Sequence, residues 1–408
     1  MREPAAFVPD TLFDGSAPRL SFLELWHCDI SWESPLLRGL KHLEMRVPFE
    51  RPSLTVWLDA LDEMSQLKTL TLHGASPIAP PGASLPEIER NVTLPSLTLF
   101  EMSSSAKDCG LALAHLILPA LTSLCLVVNS RRGDGDDVQK ILPYVARHAH
   151  GPQDAQPLQS MLVYNNIMCA EILAWTLPDI DVELPNQTAF FDSMHSARVA
   201  LSITNDDHWS PGINIGIFSA VIEALPLDGL VTLTAQTSSW PLTEQFWLRH
   251  APKWPLLQRV RLTRSTTMGR RESPLLPLLT TLVLVGSALI ERKTFILCDA
   301  LMKRVELGVP LESLDLRKCL AIGRGVELLS EIVADVLCPE KAFEMASEML
   351  SDPVARRLYL EDNDSSGMDD YDYDEEDDSE SGSDDEEQDS WGMDDDYHGY
   401  GDGETVYW

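Results

Sequence analysis

The sequence lacks most of the marks of a secreted, membrane-bound or enzymatic chain. None of its seven cysteines forms a CxxC pair and the count is odd, which argues against a disulfide framework or a paired-cysteine zinc site. Met1-Arg2-Glu3-Pro4 carries no apolar signal run. No stretch approaches the roughly 18 uninterrupted apolar residues of a membrane span. A reducing cytoplasm or nucleus is therefore expected, with no membrane partner, and the sequons at Asn91 and Asn186 are read as chance. P-loop, GxGxxG, GxSxG and HExxH motifs are all missing. A non-enzyme without cofactor or metal is expected. His148-Ala149-His150 is the nearest thing to a ligand pair, and it reads as solvated histidines in a loop, since no cysteine stands beside it.

Cations are missing from one region altogether. From Glu361 to Trp408 there are 22 acidic residues and no Lys or Arg; the remainder holds 42 acidic against 31 basic residues, a net of -11 out of the total of -33. Residues 361–408, rich in Asp, Glu, Ser and Gly, predict a disordered acidic tail. Such a balance excludes direct nucleic-acid binding, which wants clustered Lys and Arg. The tail suits either a solubilising role or contact with basic proteins. Ser381 and Ser383, each with an acid three places on, suit phosphorylation by an acidophilic kinase.

What the chain does have is a recurring Leu-x-x-Leu-x-Leu phrase. It stands at Leu20/Leu23/Leu25, Leu40/Leu43/Met45, Leu67/Leu70/Leu72, Leu94/Leu97/Leu99 and Leu121/Leu124/Leu126, with starts from 40 to 121 separated by 27. Degenerate copies follow at Leu158, Leu230, Leu257, Leu279 and Leu311. A fixed period with this phrase predicts an α/β leucine-rich-repeat solenoid, a curved parallel sheet with helices on its convex side. Leucines of the Leu-x-Leu pair point to one side of a short strand and their neighbours to the other. Helical stripes fill the gaps, at Leu54, Trp57, Leu58 and Leu61 with Ser53 as cap, at Phe218–Leu225, and at Phe295–Val305. The period fails over 131–157, read as an inserted loop, and over about 165–226, where Val199-Ala200-Leu201 is the one strand that can be read. The expected organisation is 1–19 short and irregular, 20–325 repeats, 326–360 a helical cap, and 361–408 tail.

Residues flanking the buried leucines project onto the concave face, where a protein partner is expected. Early repeats place Phe22, Glu24 and Trp26 there, then Glu44 and Arg46, then Phe100. Later ones place Tyr164, Arg259, Arg261, Asp315 and Arg317. Exposed aromatics and arginines are enriched at interface hot spots. Cys28 and Cys319, three places after the last leucine of their phrases, are read as buried structural thiols.

Phrases such as Cys28-Asp29-Ile30-Ser31-Trp32, Leu94-Pro95-Ser96-Leu97 and Leu311-Glu312-Ser313-Leu314-Asp315-Leu316 resemble those of fungal F-box proteins with leucine-rich repeats. The resemblance covers about Pro18 to Cys319. It implies the substrate-recognition half of a cullin-type ubiquitin-ligase adaptor. The F-box module that such proteins carry before the repeats is not in this sequence, so no binding to the ligase's linker subunit is expected. The order of repeats then acidic tail also resembles acidic histone-chaperoning phosphoproteins and the activator of the Ran GTPase. That gives the alternative of an acidic-tailed regulator of basic proteins.

Overall fold

The computed structural model describes residues 6–10, 12–15, 17–78, 90–130, 135–151, 155–165, 169–178, 193–205, 211–237, 244–263, 276–289, 291–321 and 323–338. The chain divides into two units, Met1–Arg356 and Arg357–Trp408, and every described element belongs to the first. The acidic tail, with Ser381 and Ser383, lies outside the described residues, as does most of the proline-rich stretch after Pro77. No helix among the described residues is long and apolar enough to cross a membrane.

A 13-stranded, mostly parallel sheet organises the first unit. Its early strands are β1 (Phe22–Trp26), β2 (His42–Arg46), β3 (Thr69–His73), β4 (Leu99–Ser104) and β5 (Ser123–Ser130). The middle holds β6 (Ser160–Asn165), β7 (Cys169–Trp175) and β8 (Val199–Asn205). Then come β9 (Thr232–Thr237), β10 (Arg259–Thr263), β11 (Thr281–Leu289), β12 (Ser313–Ala321) and β13 (Asp335–Leu337). In space the order is β1-β2-β3-β4-β5-β8-β7-β6-β9-β10-β11-β12-β13.

One continuous core lies on one face of this sheet. Leu43 and Met45, Leu70 and Leu72, Phe100 and Met102, Leu124 and Leu126, then Leu233, Val260, Leu282 and Leu314 all point into it. Strands β2, β3, β4, β9, β10 and β11 are each preceded by a tight turn whose closing residue is buried and bonds three places back. Leu40 N–H donates to Leu37 C=O, Leu67 to Met64, Leu97 to Leu94, Leu230 to Leu227, Leu257 to Trp254 and Leu279 to Leu276. The full phrase is thus Leu-x-x-Leu-x-x-Leu-x-Leu, with the first pair in the turn and the second in the strand. This corrects the reading at Leu94/Leu97/Leu99, where the turn pair stands in place of the strand pair. The inward strand positions there are held by Phe100 and Met102, paired with Leu70 and Leu72. Leu121 is likewise no core residue. It is 89% exposed, and Thr122 fills the turn position, its hydroxyl donating to Leu97 C=O at 2.7 Å.

Helices cover the core face. In α1 (Leu54–Glu63), the Ser53 hydroxyl accepts from Val56 N–H, and Trp57, Leu58 and Leu61 are buried. Ser105 caps α2 (Ala106–His115) in the same way through Asp108 N–H. The expected loop over 131–157 is instead mostly a helix, α3 (Gly135–His150). Its Val138, Ile141, Leu142, Val145 and Ala149 form the buried stripe, a period hidden from the sequence by Pro143 and the flanking Gly and Asp residues. Correspondingly His148 is buried, with Nε2 2.8 Å from Thr122 C=O. Burial holds its pKa down at about 4, so it is neutral and is no solvated ligand. Further on are α4 (Pro211–Ala224), α5 (Glu244–His250), α6 (Glu291–Glu306) and α7 (Gly323–Ile332). In α6, Cys298 and Leu301 are buried but Phe295 and Val305 are exposed, so the stripe read there is half right.

The middle of the sheet breaks the parallel pattern. β7 runs antiparallel to both β6 and β8, while β8 is parallel to β5 and β6 parallel to β9. β6, β7 and β8 are therefore a meander set between two parallel arrays. Two added strands restore the original direction, so the arrays match in polarity. Of the helical cap expected over 326–360, α7 is helical to Ile332, the short strand β13 then adds in parallel to β12, and residues 339–360 lie outside the described set. Nor is the first segment wholly irregular, since Ala6–Val8 pairs in parallel with Cys28–Ile30.

Candidate functional site

The sheet face opposite the core carries the candidate residues in continuous cross-strand rows. One row runs Glu24, Glu44, Thr71, Glu101 and Cys125 across β1 to β5, then Ala200, Leu173 and Leu162 across the meander, then Thr234, Arg261, Val283 and Asp315. The next runs Trp26, Arg46, His73, Ser103, Val127, Ser202, Glu171, Tyr164, Gln236 and Thr263. In the first row charge sits towards the two ends and apolar side chains in the middle, whereas the second carries Glu171 at its middle.

The β1–β2 end is open to solvent. Phe22 is 56% and Trp26 55% exposed. The Arg46 guanidinium lies 4.8 Å from the Trp26 ring centre and its Nε also pairs with Glu44. Phe22 and His42 rings stand 5.9 Å apart, and His42 Nδ1 is 3.1 Å from Thr69 Oγ1. Phe22, Glu24, Trp26, Glu44 and Arg46 therefore share one accessible surface. Phe100 does not join them. It is fully buried in the core, because a strand register displaced by one residue turns every side chain to the other face.

Over the meander the same face is covered. Cys125, Leu162, Leu173, Trp175, Met194, Ala197 and Ala200 form a second, separate apolar cluster. Residues 193–196 make a helical turn across it. Cys125 Sγ donates to Met194 C=O at 3.2 Å and Trp175 Nε1 donates to Ser196 Oγ at 3.2 Å. His195 from the same turn reaches Glu101 Oε2 at 3.0 Å. His73 Nε2 lies 3.2 Å from the other oxygen. Burial alone would raise Glu101, but hydrogen bonding from His195 and His73, together with the two histidines' charge, outweighs it and holds the carboxyl at about 2.

Beside this cluster Glu171 faces the opposite fate. Burial pushes its carboxyl up to about 7, and hydrogen bonds from Cys169 and Ser202 offset only part of the shift. Tyr164, half-buried, pairs across from it. Thiols elsewhere are quiet: burial raises Cys109 to about 12 and moves Cys125 up as well. Cys319 is buried and donates to Leu284 C=O at 3.0 Å, as its structural reading requires. No group of three or more His, Cys, Asp or Glu among the described residues could hold a metal ion.

At the far end Arg259 and Arg261 alternate around buried Val260 on the open face. Arg317 clamps Asp315 through two side-chain bonds of 3.0 and 2.6 Å, which lower that carboxyl. On the helix side, α3, α4 and α5 border a groove of about 660 Å³, whose charged residues Glu223 and Arg249 already pair at 2.6 Å. Sequence reasoning missed Glu101, Glu171, Trp175 and His195. The first was assigned to no strand position by the shifted register; Glu171 and Trp175 stand in β7 and His195 in the turn across it, where the repeat phrase is lacking. The apolar run Ile172-Leu173-Ala174-Trp175 after Glu171, four apolar positions together, was the available signal for a strand buried on both faces. No family model matches the chain, and no curated protein matches it.

Proposed function

We propose that the chain is a non-catalytic protein-recognition scaffold of the leucine-rich-repeat type, resembling the substrate-binding repeats of F-box ligase adaptors. The observation that carries this reading is the accessible set Phe22, Glu24, Trp26 and Arg46. Two large aromatics stand more than half exposed on the single strand β1, one of them pre-ordered by the stacked guanidinium. Aromatic and arginine side chains held rigid on a scaffold lose little entropy on binding and supply most interface energy. The shared phrase, repeated turn and parallel ladder fit one structural unit stacked many times.

A second reading, an acidic-tailed regulator of basic proteins, is favoured by the 22 uncompensated acids after residue 360. One experiment separates them. Quantitative affinity purification compares the full chain, a Phe22→Ala/Trp26→Ala/Arg46→Ala variant, and a chain truncated after Leu360. Partners lost only by the triple variant support the recognition face, and partners lost only on truncation support the tail. Retention of every partner by the triple variant overturns the first reading.

A further inference from the structure

We infer that the free edge of β1 binds an extended peptide as an added strand, with a lysine or arginine of that peptide set against Glu24. The inference rests on the recognition reading above and names the partner's form. Hydrogen bonding fixes which backbone groups are free. His42 N–H donates to Ser21 C=O and His27 N–H donates to Arg46 C=O, so the odd-numbered residues of this stretch face β2. In a parallel ladder successive residues point their N–H and C=O groups alternately to the two sides. The groups of Phe22, Glu24 and Trp26 therefore point outward, and among the described residues β1 pairs with β2 alone. These are the same three residues whose side chains stand on the open face. An added strand would satisfy three donor–acceptor pairs and lay its own alternate side chains beside an aromatic, an acid and an aromatic.

Charge selects the occupant. Glu24 stands directly across from Glu44, a like-charge pair that weakens a sheet unless relieved. Arg46 relieves Glu44, but Glu24 makes no ion pair with any described residue. A second copy of this chain would bring Glu24 against Glu24 at the centre of an antiparallel edge-to-edge contact, so self-pairing is opposed. A peptide cation at that place is favoured instead, with apolar neighbours two positions away on Phe22 and Trp26. The opposite edge shows the contrast. β13 has only three residues and opens with exposed Asp335, the short, charged form by which sheets blunt an edge. β1 is longer and displays its aromatics.

The test uses the full chain and fluorescein-labelled peptides containing Val-Thr-Lys-Thr-Val, the same with glutamate at the centre, and the lysine peptide N-methylated on alternate amides. Anisotropy titration should rank lysine above glutamate and above N-methylated peptide by roughly tenfold or more each. Glu24→Lys should reverse the order of the two charged peptides, and Trp26→Ala should weaken both. Equal binding of lysine and glutamate peptides, indifference to N-methylation, or no binding of any peptide at about 1 mM overturns the inference. Sedimentation showing a dimer of the wild-type chain that Phe22→Ala/Trp26→Ala abolishes would assign the edge to a second copy, and overturn it too. If the triple variant above loses its partners while N-methylation has no effect, the recognition face stands and strand addition falls.

Discussion

Strands β1 to β4 and the meander β6 to β8 share one sheet and one core, yet they use the other face in opposite ways. At the β1–β2 end the face is left to water, and its side chains are held by stacking and ion pairs rather than by burial. Over the meander that face is a second small core, roofed by residues 193–196. The difference shows that burial on one side of a sheet does not decide exposure on the other; the intervening connections do. It also separates residues that stabilise from residues free to recognise.

The largest expected contrast is between two tryptophans. Trp175→Ala removes a 3% exposed ring from the second cluster and should cost about 3–5 kcal/mol in urea unfolding. Trp26→Ala should cost under about 1 kcal/mol, the scale of an exposed cation–π pair. Similar losses at both sites would erase the comparison.

Next comes Glu171. Its folded-state pKa of about 7 lies above the ordinary glutamate value of 4.5, so the folded chain binds the extra proton between those values. Stability from this group is complete below about pH 4.5 and declines as pH rises through 7, by about 3 kcal/mol in all. Glu171→Gln should flatten that decline in unfolding measured from pH 4.5 to 8. An unchanged slope would mean the carboxyl ionises freely.

Glu101 has the opposite sign. Held at about 2 against 4.5, it favours the fold above pH 4.5, and that contribution disappears as pH falls from 4.5 toward 2. His195→Ala should reduce stability at pH 6 by about 1 kcal/mol, as expected for a half-exposed charge-assisted bond. It should also shrink the acid-side loss. Equal acid-side loss in wild type and variant would show that His195 does not hold the carboxylate.

The smallest effects concern the strand exits at the open end. His27, Val47 and Gly74 follow β1, β2 and β3 at one equivalent position, and all have positive φ, at 52°, 49° and 68°. Glycine takes this conformation freely and a β-branched residue does not. Gly74→Ala should cost about 1 kcal/mol, and Val47→Gly, at an exposed site, should gain up to about 1 kcal/mol. A destabilising Val47→Gly would mean that its exposed side chain packs more than its surroundings indicate.

How far the sequence could be read follows from where each element takes its order. At β2 and β3 the phrase and strand coincide, so Glu44 and Arg46 were placed on the correct face from spacing alone. At β4 the turn's Leu94-x-x-Leu97 imitates the strand's own pair, and Phe100 went to the wrong side. In α3, Pro143 and the acidic start masked an apolar stripe that the fold buries. The meander was illegible for another reason. β7 pairs with β6 just before it in the chain, but its other antiparallel neighbour, β8, lies about 30 positions on, as where Ser202 meets Glu171, and the repeat phrase carries no trace of that pairing.

The meander also dictates an order of assembly. Thr69 meets His42 across 27 positions, whereas Thr204 meets Asn129 across 75. Closing the longer loop costs about 1 kcal/mol more in chain entropy. During synthesis β1 to β5 can zip together as each strand emerges, but β6 arrives with no neighbour in place. It must wait for β7 and β8 to turn back and join it to β5. The β5–β8 junction is therefore the sheet contact that spans the most chain, and the helix layer bridges the same gap where α3 packs on α4.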